Sequence, residues 1–482
     1  MSPPLFGKLP SVNELLDSPP LKQLVDRANR HSVVAGVGRF LERMREDVRA
    51  ATADIPNPVE LAERIASWLA SADSTAPRPA INATGDFLQL DVEGGAPLSD
   101  AARDAVSEVA RGSGVVAGDL ARGRGDRDQA AEQRACELAG AEAAALFPAG
   151  PGALLVTLAA LSAGQGTVVS RGQILELDGI PLPDLVAASR ARLLEVGTTN
   201  VTRLADFAAH ALPPETALFL VLAPRSYRFA GEHSQPPLAA LAALARSHGI
   251  PLCVDLGWSG LVNSLADASA SSPAGTAVSA PLGPPVGPPS AREALAWGVD
   301  LCLVRGDKLL GGPACIVAVG RREIVDRLRE HPLRECFRLD AFTLAALTAT
   351  LQQQAAATNG APPLPVQLLL EVSPENLKNR AERLAPQLAA LPGIAAATAR
   401  ECRGQLAAPA EGVAERITWC VALRPVDGDA DTLLARLRGA QPAILGRRSQ
   451  DEVLLDLRSV LPRQDVELVE AATQALAPPA ST

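Results

Sequence analysis

Hydrophobic residues in the first seventy positions recur at intervals of three and four, separated by charged residues. They are Leu15, Leu16, Leu21, Leu24, Phe40, Leu41 and Met44. Apolar residues with this spacing lie on one face of an α-helix. The pattern therefore predicts a helical unit at 1–72, and the Ser-, Pro- and Thr-containing stretch at 71–80 predicts a linker after it.

Between residues 81 and 345 the pattern changes to short apolar runs that alternate with helical stretches such as 238–248. The runs lie at 143–147, 166–170, 192–196, 217–223, 251–256 and 301–304. This alternation is typical of an α/β domain, in which helices cover both faces of a parallel sheet. The Ala-, Ser-, Pro- and Gly-rich segment 267–290 interrupts the pattern, and we expect it to be a flexible surface insertion.

The last part of the chain predicts a smaller α+β domain at 363–482, after a helix at 341–356. Its helices are expected at 375–391 and 431–439, and its strands at 417–423 and 453–457. The sequence thus predicts three parts, at 1–72, 81–345 and 363–482.

Composition narrows the class of protein. Of the 482 residues, 47% are hydrophobic and 21% charged, which is typical of a globular chain and excludes a disordered or fibrous one. No apolar stretch is long enough for a membrane span and no signal peptide is visible. The seven cysteines are scattered, which favours a reducing cytoplasm over a disulfide framework or zinc site. A net charge of −9 disfavours indiscriminate nucleic-acid binding, although a local basic patch could still hold RNA.

One lysine occupies a polar turn directly after a candidate strand. Residues 304–313 read Val-Arg-Gly-Asp-Lys-Leu-Leu-Gly-Gly-Pro, with Lys308 at the centre. Glycines such as Gly306 permit a tight turn and the close approach of a ligand. A lysine with a lowered pKa can form a Schiff base with pyridoxal phosphate. An isolated lysine in a glycine turn is more often an ordinary surface residue.

Two further features are compatible with the same cofactor. Asp255 ends an earlier candidate strand, and a carboxylate there can pair with the protonated pyridine nitrogen. Residues 147–153, Phe-Pro-Ala-Gly-Pro-Gly-Ala, lead from a strand into a helix, where Gly150 and Gly152 allow backbone N–H groups to cradle a phosphate. Pro151 removes one donor, and an ordinary turn explains this segment about as well.

Ordered motifs along nearly the whole chain carry a resemblance to a known family. They are Leu-Pro-Ser-Val at 9–12, Ile-Asn-Ala-Thr-Gly at 81–85, Ala-Pro-Leu-Ser at 96–99, Glu-Val-Gly-Thr-Thr-Asn at 195–200, Asp-Leu-Gly at 255–257, Gly-Asp-Lys-Leu-Leu-Gly-Gly-Pro at 306–313, His-Pro-Leu at 331–333 and Leu-Asp-Leu-Arg at 455–458. With them the chain resembles the bacterial selenocysteine synthases, or L-seryl-tRNA(Sec) selenium transferases, which are fold-type-I pyridoxal phosphate enzymes.

The resemblance implies a fold, a reaction and partners. The fold is an α/β fold-type-I pyridoxal-phosphate-dependent transferase with a mostly parallel central sheet, a tRNA-contacting N-terminal helical unit and a small α+β C-terminal domain. The reaction converts seryl-tRNA(Sec) to selenocysteinyl-tRNA through a dehydroalanyl aldimine, with selenophosphate as the donor. We also expect a cytoplasmic homo-oligomer built from dimers, without membrane association.

The resemblance also assigns roles to particular residues. Lys308 is expected to carry the aldimine, and Asp255 to hold the pyridine nitrogen. The other residues expected to bind the cofactor are Gly150, Gly152, Arg305 and Gly306.

The departures from the family pattern concern the anionic selenium donor. Gly95 and Glu335 stand where the family has arginines thought to hold that donor, and only Arg338 is retained. Glu335 places a negative charge where an anion should bind, which is repulsive unless a cation compensates. Three arginines in segments that border the site in the family are candidates for that compensation: Arg225, Arg305 and Arg334.

Three functions therefore remain open from the sequence. The first is selenium transfer to seryl-tRNA, which the retained N-terminal unit favours. The second is a pyridoxal phosphate-dependent lyase or transferase acting on a small amino acid or amino sugar. The third is a non-catalytic homologue that keeps the fold as a binding scaffold. The lost arginines favour the second and third.

Overall fold

The computed structural model describes residues 10–27, 78–88, 95–112, 127–223, 231–262, 289–357, 360–404 and 416–477, with single positions between 33 and 66. The chain divides into two compact units, Met1–Ala80 and Ile81–Thr482. Most of the expected linker and insertion, at 71–77 and 267–288, lies outside the described residues. Within the described ranges, no helix is both long and apolar enough to cross a membrane.

The N-terminal unit has its own apolar core. Its described helices are α1 (Val12–Leu16) and α2 (Pro19–Arg27). Ser11 and Glu14 form a reciprocal cap at the start of α1, because each backbone N–H donates to the side chain of the other. The buried core residues are Leu15, Leu21, Val33, Val37, Leu41, Leu61, Ala62 and Ile65.

A seven-stranded sheet forms the centre of the second unit, in the order β2-β10-β9-β8-β7-β3-β6. Its strands are β2 (Ala143–Phe147), β3 (Gly166–Ser170), β6 (Arg192–Val196), β7 (Thr216–Leu222), β8 (Leu252–Asp255), β9 (Leu301–Arg305) and β10 (Ile316–Gly320). Only β10 runs against its neighbours, β2 and β9. The apolar runs predict the six strands of common direction, but β10 was not predicted.

Helices cover both faces of this sheet and enclose two apolar cores. The helices of the large domain are α3 (Asp100–Ala110), α4 (Gln129–Ala139), α5 (Gly150–Ser162), α6 (Leu182–Ala188), α7 (Leu204–Ala208), α8 (Leu238–Ser247), α9 (Ala291–Ala296), α10 (Arg322–Glu330) and α11 (Ala341–Ala356). One core contains residues of α4, α8, α9 and α11. The other contains residues of α5, α6 and α10. A short hairpin, β4 (Glu176–Leu177) and β5 (Ile180–Pro181), follows β3.

The small domain consists of an antiparallel sheet with helices on one face. Its sheet has the order β11-β12-β15-β14, and the remaining strands β1 and β13 pair with each other. These strands are β1 (Ala80–Asn82), β11 (Ile394–Gly404), β12 (Arg416–Pro425), β13 (Ala443–Leu445), β14 (Arg447–Ser449) and β15 (Glu452–Asp456); the helices are α12 (Pro365–Glu371), α13 (Pro374–Ala389), α14 (Ala430–Arg438) and α15 (Asp465–Leu476). Ile81 and Ala83 lie in this domain's core, although the sequence pattern assigns residue 81 to the large domain.

The strand register brings several carboxyl ends together at one edge of the large sheet. Phe147 at the end of β2 lies opposite Ile316, which lies opposite Arg305 at the end of β9. Asp255 at the end of β8 lies opposite Leu303. In α/β sheets, ligands bind outside the carboxyl ends of the strands. The segments that follow β2, β8 and β9 are therefore placed where a ligand would bind.

Candidate active site at the carboxyl edge of the large sheet

The turn after β9 buries the Lys308 side chain, which is only 1% exposed. The backbone N–H of Gly306 donates to the carbonyl of Cys315 at 2.8 Å, and that of Gly312 donates to the carbonyl of Gly306 at 2.8 Å. A Cβ atom at Gly306 would overlap the carbonyl oxygen of Pro313, and Gly311 has a φ of +74°. The glycines are therefore required for the fold of this turn.

The surroundings of Lys308 lower the pKa of its amine. Burial lowers the pKa of the Lys308 ammonium below the ordinary value, and the nearby Arg305 acts in the same direction. The Asp307 carboxylate, whose Oδ2 lies 3.4 Å from Nζ, opposes this shift. Asp86 also acts to raise the pKa. The net lowering is appropriate for an amine that must act as a nucleophile or base.

Arg305 connects this turn to the β4–β5 hairpin through two carboxylates. Its Nε lies 3.2 Å from Oδ1 of Asp307, and its Nη1 lies 3.2 Å from Oδ1 of Asp178. Asp178 occupies the turn of the hairpin with a φ of +48°. Burial alone would raise the pKa of the Asp307 carboxyl, but Arg305 and Lys308 outweigh it and hold that pKa below its ordinary value.

Asp255 is buried on the strand next to the lysine turn. Its Oδ1 accepts a hydrogen bond from the backbone N–H of Gly257 at 2.9 Å, as in an Asx turn. The segment after it also contacts the lysine turn, because the N–H of Leu309 donates to the carbonyl of Trp258 at 3.3 Å. The structure thus brings the segments of Asp255 and Lys308 together.

Helix α5 begins earlier than the sequence predicts. The sequence favours a glycine-containing loop before the helix, but Gly150, Pro151 and Gly152 form the first turn of α5 itself. No side chain caps this turn, so its N–H groups point toward the carboxyl edge of the sheet without a side-chain acceptor. A Cβ atom at Gly152 would lie 2.7 Å from the Phe337 ring, so that glycine allows the ring to pack closely.

These residues fit pyridoxal phosphate on structural grounds. Lys308 provides a buried amine with a lowered pKa, and Asp255 provides a carboxylate at the end of the adjacent strand. The uncapped N-terminus of α5 provides backbone donors for a phosphate. Since β10 separates β2 from β9, these donors lie about 10 Å along the sheet from the β9 end. The amine, the carboxylate and the backbone N–H groups thus match the aldehyde, the ring nitrogen and the phosphate of the cofactor, respectively.

The positions where the resemblance predicts arginines that bind the donor offer little free positive charge. A Cβ atom at Gly95 would overlap the carbonyl oxygen of Asp307, so a larger residue does not fit this backbone. Arg338 is 42% exposed, and its Nε lies 3.4 Å from Oε2 of Glu335. An anion that binds Arg338 therefore competes with a neighbouring carboxylate.

The arginines proposed to compensate the negative charge of Glu335 form ion pairs with other carboxylates where the structure describes them. Arg305 is held between Asp178 and Asp307. Arg334 is buried, lies 2.7 Å from Oδ2 of Asp128 and stacks 5.1 Å from the centre of the Phe147 ring. Its Nη1 also donates to the carbonyl of Phe337 at 3.0 Å. Arg225 lies outside the described residues.

Sequence reasoning missed three acidic residues near the lysine: Asp86, Asp178 and Asp307. Asp307 lies in the Gly-Asp-Lys motif, but its spacing alone does not show that it contacts Lys308. Asp178 precedes Gly179 between short strands, which is a hairpin signal, but its long-range contact to Arg305 is not visible in the sequence. Asp86 is noticeable only as a charge within a mostly apolar stretch.

The architecture resembles that of a solved enzyme structure. The structure of D-glucosaminate-6-phosphate ammonia-lyase superposes with a TM-score of 0.55 and 16% identity, covering 84% of this chain and 98% of that one. At this identity the likeness concerns the fold alone. The predicted fold-type-I α/β class is thereby confirmed.

Sequence comparisons match the chain over nearly its full length. The family model "L-seryl-tRNA selenium transferase" matches residues 80–461, and the model "Selenocysteine synthase N terminal" matches residues 6–45. The L-seryl-tRNA(Sec) selenium transferase of Moorella thermoacetica is 35% identical, covering 98% of this chain and 97% of that protein. The protein of the same name from Rhizobium meliloti strain 1021 is 34% identical, covering 93% and 94%. The family predicted from the motifs is confirmed: the chain belongs to the L-seryl-tRNA selenium transferase family.

Proposed function

We propose that this protein is a pyridoxal phosphate-dependent L-seryl-tRNA(Sec) selenium transferase, which converts a seryl group on tRNA into a selenocysteinyl group. The observation that carries the proposal is the buried Lys308 in the turn after β9, in a chain whose family match extends over residues 80–461. Its lowered pKa is what a cofactor-binding amine requires. The confirmed family supplies the reaction.

The cofactor, when bound, supplies an electron sink that allows the serine side chain to lose its hydroxyl group. Lys308 would hold the cofactor, and its Nζ, with a lowered pKa, is placed to accept the proton from the α-carbon of the seryl group. Asp255 holds the pyridine nitrogen, and the N–H groups at the start of α5 bind the phosphate. Arg305 and Asp307 fix the lysine turn and set the charge around Nζ.

We assign binding of the tRNA to the N-terminal unit. This unit has an apolar core of its own and matches the N-terminal model of the family at residues 6–45. An aminoacyl-tRNA substrate places the reaction in the cytoplasm, where translation takes place. We also infer a homo-oligomer built from dimers, by likeness to the family.

Selenophosphate is the donor that the family implies, and Arg338 is the retained residue to hold it. Because Glu335 lies beside Arg338, we expect weaker donor binding than three arginines would give. Transfer then depends on a donor concentration high enough to fill this site.

The test is conversion of seryl-tRNA(Sec) to selenocysteinyl-tRNA by the full-length protein with cofactor and selenophosphate. Lys308→Ala should abolish conversion, and Lys378→Ala, at a partly exposed lysine of α13, should leave it unchanged. A variant comprising residues 78–482 should keep bound cofactor but lose salt-dependent affinity for the tRNA. Bound cofactor on Lys308 without any conversion would contradict selenium transfer and favour an enzyme of small amino acids or amino sugars.

A further inference from the structure

Two cysteines lie side by side on the sheet of the small domain. In the register of β11 and β12, Arg400 lies opposite Cys420 and Cys402 lies opposite Thr418. Cys402 and Cys420 are therefore diagonal neighbours on one face of the sheet. Cys402 also packs against the small apolar cluster that contains Cys420.

The two thiols differ in exposure. Cys402 is half-buried, whereas Cys420 is fully buried. Only Cys402 is therefore accessible to a dissolved reagent. Cys420 is placed to react with whatever forms on the sulfur of Cys402.

The charged groups around the pair favour a thiolate on Cys402. Arg400 lies two residues before Cys402 on the same face of β11, and its Nη1 is 2.8 Å from Oε2 of Glu452. Arg447 lies 3.9 Å from Sγ of Cys420 and 2.9 Å from Oδ2 of the buried Asp456. The interaction with the neighbouring Cys420 thiol, assisted by Arg400 and opposed by burial and by Asp456, lowers the pKa of Cys402 to about 6. The same interaction and burial raise the pKa of Cys420.

The remaining cysteines do not combine these properties. Burial raises the pKa of Cys253, Cys302 and Cys315, which hinders formation of a thiolate. Burial also raises the pKa of Cys136. Cys336 is exposed, and it provides a natural internal reference for the reactivity of an accessible thiol.

We propose that Cys402 and Cys420 form a redox-active dithiol in the small domain, with Cys402 as the attacking thiol and Cys420 as the resolving thiol. The oxidant is a hydroperoxide. The Cys402 thiolate attacks its terminal oxygen, the O–O bond breaks, and the leaving alkoxide or hydroxide takes up a proton. The thiol of Cys420 then attacks the sulfenic sulfur of Cys402, a disulfide forms, and water leaves. The peroxide is reduced by two electrons and the two thiols are oxidised together.

The placement of the pair favours a reversible bond. Diagonal neighbours in an antiparallel sheet have Cα atoms about 7–8 Å apart. Unstrained disulfides span about 4.4–6.8 Å between Cα atoms, so the backbone must shift locally for the bond to form. A strained disulfide has a more oxidising potential and is readily reduced by thiols. We therefore expect a labile disulfide and not a permanent crosslink.

The test uses the reduced full-length protein treated with hydrogen peroxide in equimolar amount. Trypsin should then release peptide 401–403 linked to peptide 417–436, with the loss of two hydrogens and recovery of both thiols on adding dithiothreitol. Cys402 should also be alkylated at least several-fold faster than Cys336 at neutral pH. Arg400→Gln should slow that alkylation.

Two variants separate the roles of the thiols. Cys420→Ser should leave a sulfenic acid on Cys402 that dimedone traps, and Cys402→Ser should leave Cys420 unoxidised. Cys336→Ser is the matched control and should not change the linked peptide. The proposal is overturned if Cys336 in the unmodified protein reacts before Cys402, or if Cys402 is oxidised to a sulfinic acid without linking to Cys420. The measurements on the unmodified protein do not depend on the folding of a variant.

Discussion

Gly95 packs against the backbone of Asp307, the residue that precedes Lys308, so closely that a Cβ atom at Gly95 would overlap the carbonyl oxygen of Asp307. The resemblance predicts an arginine at this position, and the observed packing leaves no room for one. The backbone now occupies the space that a side chain would need. This relationship ties a departure from the family pattern directly to the turn that carries the lysine.

Even a methyl side chain at position 95 should weaken cofactor binding. Gly95→Ala forces the lysine turn to move, and such overpacking typically costs about 1–3 kcal/mol. We expect weaker binding of pyridoxal phosphate in a fluorescence or absorbance titration, and Gly95→Arg should be worse and not restore donor binding. Gly112→Ala, where a Cβ atom meets nothing within 4 Å, is the control. Unchanged cofactor affinity in Gly95→Ala would refute the close packing.

Two substitutions should shift the pH profile of cofactor attachment in opposite directions. Only the neutral amine of Lys308 can attack the aldehyde, so the rate of attachment falls as the pH drops through the pKa of Lys308. Asp307 raises that pKa and Arg305 lowers it. Asp307→Asn should therefore move the profile to lower pH, and Arg305→Gln should move it to higher pH, in stopped-flow absorbance measurements. Shifts of the same sign would be inconsistent with this arrangement of charges.

Arg334 should contribute to stability and not to donor binding. Removing one partner of a buried ion pair typically costs about 3–5 kcal/mol, and Arg334→Met leaves Asp128 without this partner. We expect a loss of that size in the free energy of unfolding measured with urea. Arg111→Ala, which breaks an exposed pair with Glu108, should cost at most about 1 kcal/mol.

If Arg334→Met instead lost selenophosphate affinity and kept its stability, Arg334 would belong to the donor site. A double variant with Asp128→Asn should lose less stability than the sum of the single variants, because the two residues act as a pair.

Glu335 and Arg338 should have opposing effects on the selenium donor. A hydrogen bond to a charged group is worth about 1.5–3 kcal/mol, so Arg338→Ala should weaken selenophosphate binding roughly tenfold or more in calorimetry. Glu335→Gln should strengthen binding, because it removes a competing carboxylate. Arg448→Ala, which changes a similarly exposed arginine of the small domain, serves as control. If Arg338→Ala and Arg448→Ala behave alike, Arg338 does not hold the donor.

The sequence predicted those features that depend on local periodicity and on ordered motifs. Six strands of common direction follow from their apolar runs, and the helix at 341–356 is found with those bounds. The strand β10 is equally apolar, but its antiparallel direction depends on the reversal of the chain after Lys308. The pairing of β1 with β13 could not be predicted, because these strands are far apart in sequence.

In the candidate site, too, local motifs were predicted and long-range contacts were not. Asp255 and Lys308 are recognisable because Asp255 ends a strand and Lys308 lies in the turn after one, each within a family motif. The engagement of Arg305 by Asp178 and the burial of Arg334 against Asp128 depend on long-range contacts that the spacing of residues does not encode. Charge alone therefore suggested Arg305 and Arg334 as compensating residues, although in the folded chain both form structural ion pairs.

The central claim, that Lys308 holds pyridoxal phosphate, is tested most directly by reducing the cofactor-loaded protein with borohydride and mapping the labelled peptide. The sequence contains four lysines, at positions 8, 22, 308 and 378, so the attachment point can be assigned without ambiguity. Label on Lys308 blocks tryptic cleavage there and should appear in the peptide 306–321, and Lys308→Ala should lose both the label and the absorption band of the bound cofactor. Label on Lys22 or Lys378 instead, or an unchanged absorption band in Lys308→Ala, would contradict the account.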